Sequence, residues 1–376
     1  MPGLTPQGAH LALVLIFGLT LVAQGCGPSP QGASSPPAAG GNAPAPSTVV
    51  GTPGMPSAAQ TAPIQSGPEM RRMRVAYSAL WALNAVPWAA LDEGLFARHG
   101  LDVELRFIAS AQTVPAALSG DVDVSFGGGY AAVTSRLGGS DALIVFNLAN
   151  WSPYELMVTP DIHSAADLRG KALGVSRFGS ASDTATRDAL RRLGLAPERD
   201  VTLIQVGSLQ ERIAAMKSGA IAGGVAAPPD TVILRRQGFK TLYDLRNSPD
   251  KELPNSVFAT ERWLRANDEV AQRFVDAMIE ATHLAKTDRE AAEKVLADYL
   301  KLEDPEAIAD AYEGFVTRME PAPDLGIEAA RSYLQEQAAT DPRAAAAIGD
   351  PAQFFEARYM DRVRASGLVE RLYGGR

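Results

Sequence analysis

The same order of short elements is written twice into this chain, and that order leaves few folds open. Met73 to Tyr77 reads as a strand, a helix runs through Trp88, Leu91 and Phe96 to Gly100, and Val103, Leu105 and Phe107 alternate as a second strand. A helix through Val114 and Leu118 stops at Ser119-Gly120, before a third strand from Val122 to Phe126. Leu173 to Val175 opens the second round. Its helix runs to Leu193-Gly194-Leu195, Val201 to Val206 is a strand, and a helix through Leu209, Ile213 and Met216 stops at Ser218-Gly219 before Ile221 to Val225. Strand–helix alternation twice over predicts an α/β protein of two lobes with mostly parallel sheets.

Leu143 to Phe146 and Glu155 to Val158 are expected to close the first lobe, with a crossing at Leu156 to Pro160. Phe239 to Leu245 and Val257 to Thr260 then close the second lobe and cross back. Beyond Arg262 the spacing is helical, at Val270, Phe274, Ala277, Met278 and Ala281, then at Val295, Leu296 and Leu300, then at Ala307, Ala311 and Phe315. Two more helices are expected around Ala329 to Leu334 and Phe354 to Val363, and Asp304-Pro305 and Asp350-Pro351 are start signals. The expected spans are 72–157 for the first part of lobe 1, 158–257 for lobe 2, and 258–376 for a helical second part packed on lobe 1. Two connections between lobes make a hinge.

The turn from Arg177 to Ser182 lies between a strand end and a helix with Ala185, Ala189, Leu190 and Leu193 on one face. Ser180 and Asp183 fit the S-x-x-[DE] start signal, in which hydroxyl and carboxylate satisfy orphan amides. Small residues there leave N–H groups free for a polar ligand. An ordinary strand-to-helix turn has the same signature.

No Asp, Glu, Lys or Arg occurs before Glu69. Leu11 to Ala23 is an apolar run too short to span a bilayer comfortably and suited to the core of a signal peptide over residues 1–25. It ends in Val22-Ala23-Gln24-Gly25-Cys26, which resembles the lipobox of bacterial lipoproteins, although Ala23 and Gln24 depart from the commoner residues and the first segment has no Lys or Arg. That resemblance implies cleavage before Cys26 and a lipid on it; a plain secretory signal with a free thiol is the alternative. Ten of the 26 prolines fall between Gly27 and Pro68, among Ala, Gly and Ser. Such a segment buries too little to offset its ordering entropy, so residues 26–70 are expected to form a disordered tether.

Composition removes several function classes. Net charge is −8 with no long run of one sign, which argues against a nucleic-acid partner. One cysteine excludes an internal disulfide and a cysteine metal cluster, and the four histidines (His10, His99, His163, His283) have no ligand spacing. No metal or cofactor is expected. Gly127-Gly128-Gly129 has neither the G-x-G-x-x-G spacing nor a Walker lysine, so it is a weak nucleotide signal.

The ordered set Gly94-Leu-Phe-Ala-Arg-His-Gly-Leu-Asp-Val-Glu, Leu168-Arg-Gly-Lys-Ala-Leu-Gly-Val-Ser-Arg-Phe-Gly-Ser, Leu193-Gly-Leu-Ala-Pro-Glu-Arg-Asp-Val-Thr-Leu and Glu211-Arg-Ile-Ala-Ala-Met-Lys-Ser-Gly resembles the substrate-binding proteins of ABC importers. The similarity is to the nitrate/sulfonate/taurine type, a group that includes binders of thiamine pyrimidine precursors, and covers Arg72 to Arg376. It implies a periplasmic-binding-protein type II fold, whose lobes close on a small ligand and present it to a membrane permease and its ATPase. A monomer, anchored at the outer face of a membrane or in the periplasm, is the corresponding expectation.

In open parallel sheets ligands sit beyond the carboxyl ends of strands. That rule selects the loops Leu80 to Asn84, Gly127 to Tyr130, Arg177 to Ser182 and Ala226 to Pro229, and the resemblance places contacts on the same loops. The candidate ligand-binding residues are Trp81, Asn84, Phe126, Gly127, Gly128, Tyr130, Trp151, Arg177, Phe178, Gly179, Ser180 and Pro228. Trp88, on an apolar helix face, reads as core. Arg177 either meets ligand or pairs with Asp183. Nucleophilic catalysis needs an activated Ser or Cys beside a base, but Cys26 precedes the fold and no G-x-S-x-G elbow occurs, so no catalytic residue is assigned; acid–base work by carboxylates, with Asp183 at the cleft, stays open. Solute capture for transport is the reading; a sensory binding domain, or an enzyme on the same fold acting on a pyrimidine-type substrate, stays open.

Overall fold

The computed structural model describes residues 70–109 and 112–374; the expected signal peptide, Cys26 and the tether up to residue 69 lie outside the described residues. Ten strands form two five-stranded sheets among the described residues. The first holds β1 (Arg71–Tyr77), β2 (Leu101–Phe107), β3 (Val124–Gly127), β4 (Ala142–Asn147) and β10 (Ser256–Thr260), in the order β2-β1-β3-β10-β4. The second holds β5 (Glu155–Val158), β6 (Ala172–Val175), β7 (Thr202–Gln205), β8 (Gly223–Ala226) and β9 (Lys240–Asp244), in the order β7-β6-β8-β5-β9. Each sheet has three parallel strands, then one antiparallel strand, then an edge strand. The pattern is the same in both.

One expectation is corrected by this topology. Glu155–Val158 does not close the first sheet; it is the antiparallel strand of the second, between β8 and β9. The chain therefore crosses before Glu155 rather than at Leu156 to Pro160, and it returns before Ser256, so that β10 is the antiparallel strand of the first sheet. The reason is physical: a four-residue run buried on both faces has the same local pattern in either sheet, and only pairing decides between them.

Residues 148–154 and 245–255 make the two crossings and run side by side. The Leu148 amide donates to Asn255 O (3.0 Å), the Glu252 amide to Asn150 O (3.2 Å) and the Leu245 amide to Tyr154 O (3.0 Å). Asn147 joins them, its Nδ2 donating to Glu252 O at 2.8 Å while its Oδ1 accepts from Ser256 Oγ at 3.0 Å.

Helix Asp268–Thr287 buries Val270, Phe274, Ala277, Met278 and Ala281. Phe274 stacks on Phe96 at 5.6 Å and meets Phe126 edge-on, which seats the C-terminal helices against the first sheet. Trp88 is fully buried and stacks on Tyr299 at 4.7 Å, a core position as its helix face indicated. Asp304 caps Pro305–Ala311 by accepting from the Glu306 amide, whereas Asp350-Pro351 opens only a 3-10 turn, Pro351–Phe354. Helices Gly129–Leu137, Asp230–Arg236 and Pro342–Ala347 have no counterpart among the expected elements, and the first begins inside the expected loop Gly127 to Tyr130. Among the described residues no helix is long and apolar enough to cross a membrane.

Candidate ligand-binding cleft

All six parallel strands point their carboxyl ends at one cavity of 310 Å³. From the first sheet come the loop Ser78–Trp81 after β1, Phe107 at the end of β2, and Gly128 with Tyr130 after β3. The second sheet supplies Ser176–Ser182 (Phe178 excepted) after β6, Ser208–Arg212 (Glu211 excepted) after β7, and Ala226–Asp230 (Pro229 excepted) after β8. Tyr154 and Pro254 reach in from the two crossings. The size and the mostly apolar lining suit a small organic ligand.

Seven of the sequence-derived candidates line this cavity: Trp81, Gly128, Tyr130, Arg177, Gly179, Ser180 and Pro228. Five do not. Phe126 is fully buried within β3, and Gly127 faces Thr113, Phe258 and Ser78. Asn84 is buried and acts one step back: its Nδ2 donates to Ala79 O at 2.6 Å, and its Oδ1 accepts from Asn255 Nδ2 at 3.0 Å, bracing the loop that carries Trp81. Trp151 packs on Phe315 and lies under the Arg318 guanidinium, away from the cavity. Phe178 is 49% exposed, and its amide is tied to Gln205 Oε1 at 2.8 Å. A turn residue flanked by lining residues on both sides still points outward when the turn alternates, which a loop assignment cannot reveal.

The Arg177–Ser182 turn is held by its own side chains. Ser180 Oγ donates to Arg177 O (2.7 Å), Ser182 Oγ accepts from the Ser176 amide (2.9 Å), and the three serine hydroxyls lie within 2.8–3.0 Å of one another. Gly179 has φ +77°, a conformation that glycine adopts without Cβ strain, and its amide donates to Asp183 Oδ2 at 2.8 Å. Asp183 Oδ1 is taken by Arg187 Nε at 2.8 Å. Arg177 has no ion-pair partner among the described residues, and its buried Nε has no hydrogen-bond partner.

Sequence reasoning missed the loop after β7 and the pair Arg212 and Asp230. The strand-end rule, applied to Val201–Val206 as it was to its neighbours, would have found the loop. Arg212 was hidden as one residue of an amphipathic helix, yet only 5% of it is exposed. Its stem lies over two glycines on neighbouring strands; a Cβ at Gly174 or Gly224 would stand 3.5 or 3.8 Å from its Cδ. Nη1 donates to Gly207 O and Nη2 to Val225 O, at 3.2 and 3.3 Å. Burial lowers the Arg212 pKa, opposed by its electrostatic interactions with Tyr154 and the Asp230 carboxylate. Asp230 is pushed up to about 6, chiefly by burial, with the Gln210 hydrogen bond and the Arg212 charge acting against it. Burial also raises the Tyr154 hydroxyl, so that it stays neutral and can donate.

The first sheet contributes aromatic surface. Trp81 lies 6.0 Å from Tyr154 and 6.4 Å from Phe315, ring centre to ring centre, and its buried Nε1 has no partner among the described residues. Leu80 and Phe107 line the mouth, where they are 56% and 55% exposed. Among the described residues no cluster of His, Cys, Asp or Glu could hold a metal ion.

Comparison with known proteins places this geometry. A protein of Brucella abortus (strain 2308), named only as a candidate binding protein, is 25% identical over 247 residues, covering 64% of this chain and 76% of its own. The alkanesulfonate-binding protein SsuA of Xanthomonas axonopodis pv. citri, solved with MOPS bound, superposes with a TM-score of 0.61 at 19% identity, covering 72% of this chain and 93% of that one. The desulfurization enzyme DszB shares the fold at a TM-score of 0.52 and 17% identity, covering 81% of this chain and 99% of its own. The fold is that of the periplasmic binding proteins. Residues 66–300 match the model of the NMT1-like family, well over half of the chain, and the protein belongs to that family.

Proposed function

We propose that this protein captures a small organic molecule between its two sheets and delivers it to an ABC permease and ATPase, held at the outer face of a membrane by a lipid on Cys26. One observation carries the reading: the carboxyl ends of both sets of parallel strands converge on a single 310 Å³ cavity, while among the described residues the chain passes between the sheets only through the paired crossings 148–154 and 245–255. Contacts from both sheets to one ligand favour the closed arrangement over the open one by their differential affinity. The sulfonate-binding and candidate binding relatives support capture as the activity.

Small-angle scattering tests it, with the small molecule released from the purified, denatured protein used as the titrant. Contraction on saturation is expected; an unchanged radius of gyration counts against capture by closure. A second reading, an enzyme, draws on the fold shared with DszB and on the Asp230 carboxyl held near neutrality in the cleft. Turnover of an aryl sulfinate or aminopyrimidine by the purified protein would replace binding with catalysis.

A further inference from the structure

The polar groups of the cleft are of two opposite kinds, and together they constrain the ligand more than either does alone. On one side stand buried donors. Arg177 Nε, Arg212 Nε and Trp81 Nε1 are all buried without a partner among the described residues, and all three residues line the cavity. A buried donor left without an acceptor keeps its full desolvation cost, so three around one cavity call for a group rich in acceptors. Arg212 is a built feature rather than a surface charge folded inward: Gly174 and Gly224 clear the sheet face for its stem, and two carbonyls fix its guanidinium.

On the other side stands Asp230, in the same cavity wall and with no ion pair within 4.0 Å among the described residues. A ligand that is only an anion would satisfy the donors and be repelled by this carboxylate. An apolar molecule would leave the three donors unmet and give Asp230 nothing beyond Gln210. A ligand that brings its own N–H satisfies both.

We infer that the ligand joins an acceptor-rich group (sulfonate, carboxylate or ring carbonyl), read by Arg177, Arg212 and Trp81, to an N–H donor or protonated nitrogen read by Asp230, on a flat or apolar body resting against Tyr154 and Phe107. This inference rests on the capture reading and narrows its substrate class: simple alkanesulfonates and inorganic anions are poor ligands, and amino-bearing aromatic acids or N–H heterocycles are good ones. Leu80 and Phe107 at the mouth give an apolar body somewhere to lie without full enclosure.

Matched pairs that differ by one amino group test this: 4-aminobenzenesulfonate against benzenesulfonate, 4-aminobenzoate against benzoate, and taurine against ethanesulfonate. Each is titrated at pH 7.5 into the intact protein and into Asp230→Asn by calorimetry, with thermal melting to confirm that both proteins are folded. The amino member of at least one pair is expected to bind tenfold or more tightly than its partner, and Asp230→Asn is expected to bring the two within about threefold. Equal binding within every pair, or a preference that survives Asp230→Asn, overturns the inference and leaves capture standing. Absence of binding by all six compounds also overturns it; if, in addition, no small molecule is released on denaturation, the capture reading falls with it. Should Asp230→Asn not fold, the pairwise preference of the unaltered protein decides by itself.

Discussion

Arg187 Nε lies 2.8 Å from Asp183 Oδ1, one helical turn away, so that Asp183 is paired within its own helix while Arg177 has no ion-pair partner among the described residues. The same Arg187 reaches Glu198 through Nη2 at 2.6 Å. Asp183 is 7% exposed and Glu198 60%, so the two bonds differ in weight. Arg187→Ala should strip a nearly buried carboxylate of its partner and cost about 1–2 kcal/mol, while Glu198→Ala should cost less than about 0.5 kcal/mol. Urea denaturation of the two variants measures the difference.

Freed of a protein partner, Arg177 is available to ligand, whereas Phe178 beside it points outward. Arg177→Ala is expected to weaken binding of the molecule released from the purified protein by tenfold or more, about 1.4 kcal/mol. Phe178→Ala should change it less than twofold. Calorimetry on the pair separates the two sides of the turn.

Glu252 sits in the return crossing, buried, with its carboxyl pushed up to about 8 by burial, then by the Asp188 and Asp250 charges, against the nearby Ser152 hydroxyl and the Arg192 charge. In the unfolded chain such a group titrates near its ordinary value of 4.5. Between the two values the folded state holds a proton that the unfolded state has released, so stability falls as pH rises from about 4.5 to 8. Glu252→Gln, which cannot ionise, should gain about 2–4 kcal/mol over the natural protein at pH 8.5 and under about 1 kcal/mol at pH 4.5. Thermal melts across that range check it.

Gly223 lies in the middle of the second sheet, where a Cβ would stand 2.5 Å from the Met157 carbonyl oxygen of the neighbouring strand. Backbone oxygen in a paired strand cannot withdraw as a flexible side chain can. Gly223→Ala should therefore destabilise by about 2–3 kcal/mol, read as a lowered urea midpoint, while Gly349→Ala, with open space around it, should stay within about 0.5 kcal/mol.

Cys26→Ser tests the anchor. Metabolic labelling with a fatty acid should mark the natural protein and not the variant, and the variant should move from the membrane fraction to the soluble one. Equal partition of the two would remove the lipid from the proposed function.

Much of the architecture was legible because it is written locally. Hydrophobic period, glycine stops such as Gly100 and Gly120, and caps such as Ser180 are set by residues a few positions apart, so most of the strand–helix order and three of the strand-end loops that line the cleft could be read directly. The family resemblance carried the same information as an ordered set of short segments. Which sheet Glu155–Val158 joins could not be read, since pairing with Ala226 and Asp244 is a contact between residues far apart in the chain. Nor could the chemistry of the cleft. Arg212 occupies an ordinary helical position, and only the stacking of Gly174 and Gly224 on adjacent strands turns it inward. Asp230 becomes a perturbed carboxyl only when the fold buries it, because desolvation depends on what packs around a group and not on its neighbours in sequence. The sequence by itself determined most of the elements and the end of the sheets at which a ligand would lie; tertiary packing decided which sheet each strand joins, which side chains face the ligand and with what charge.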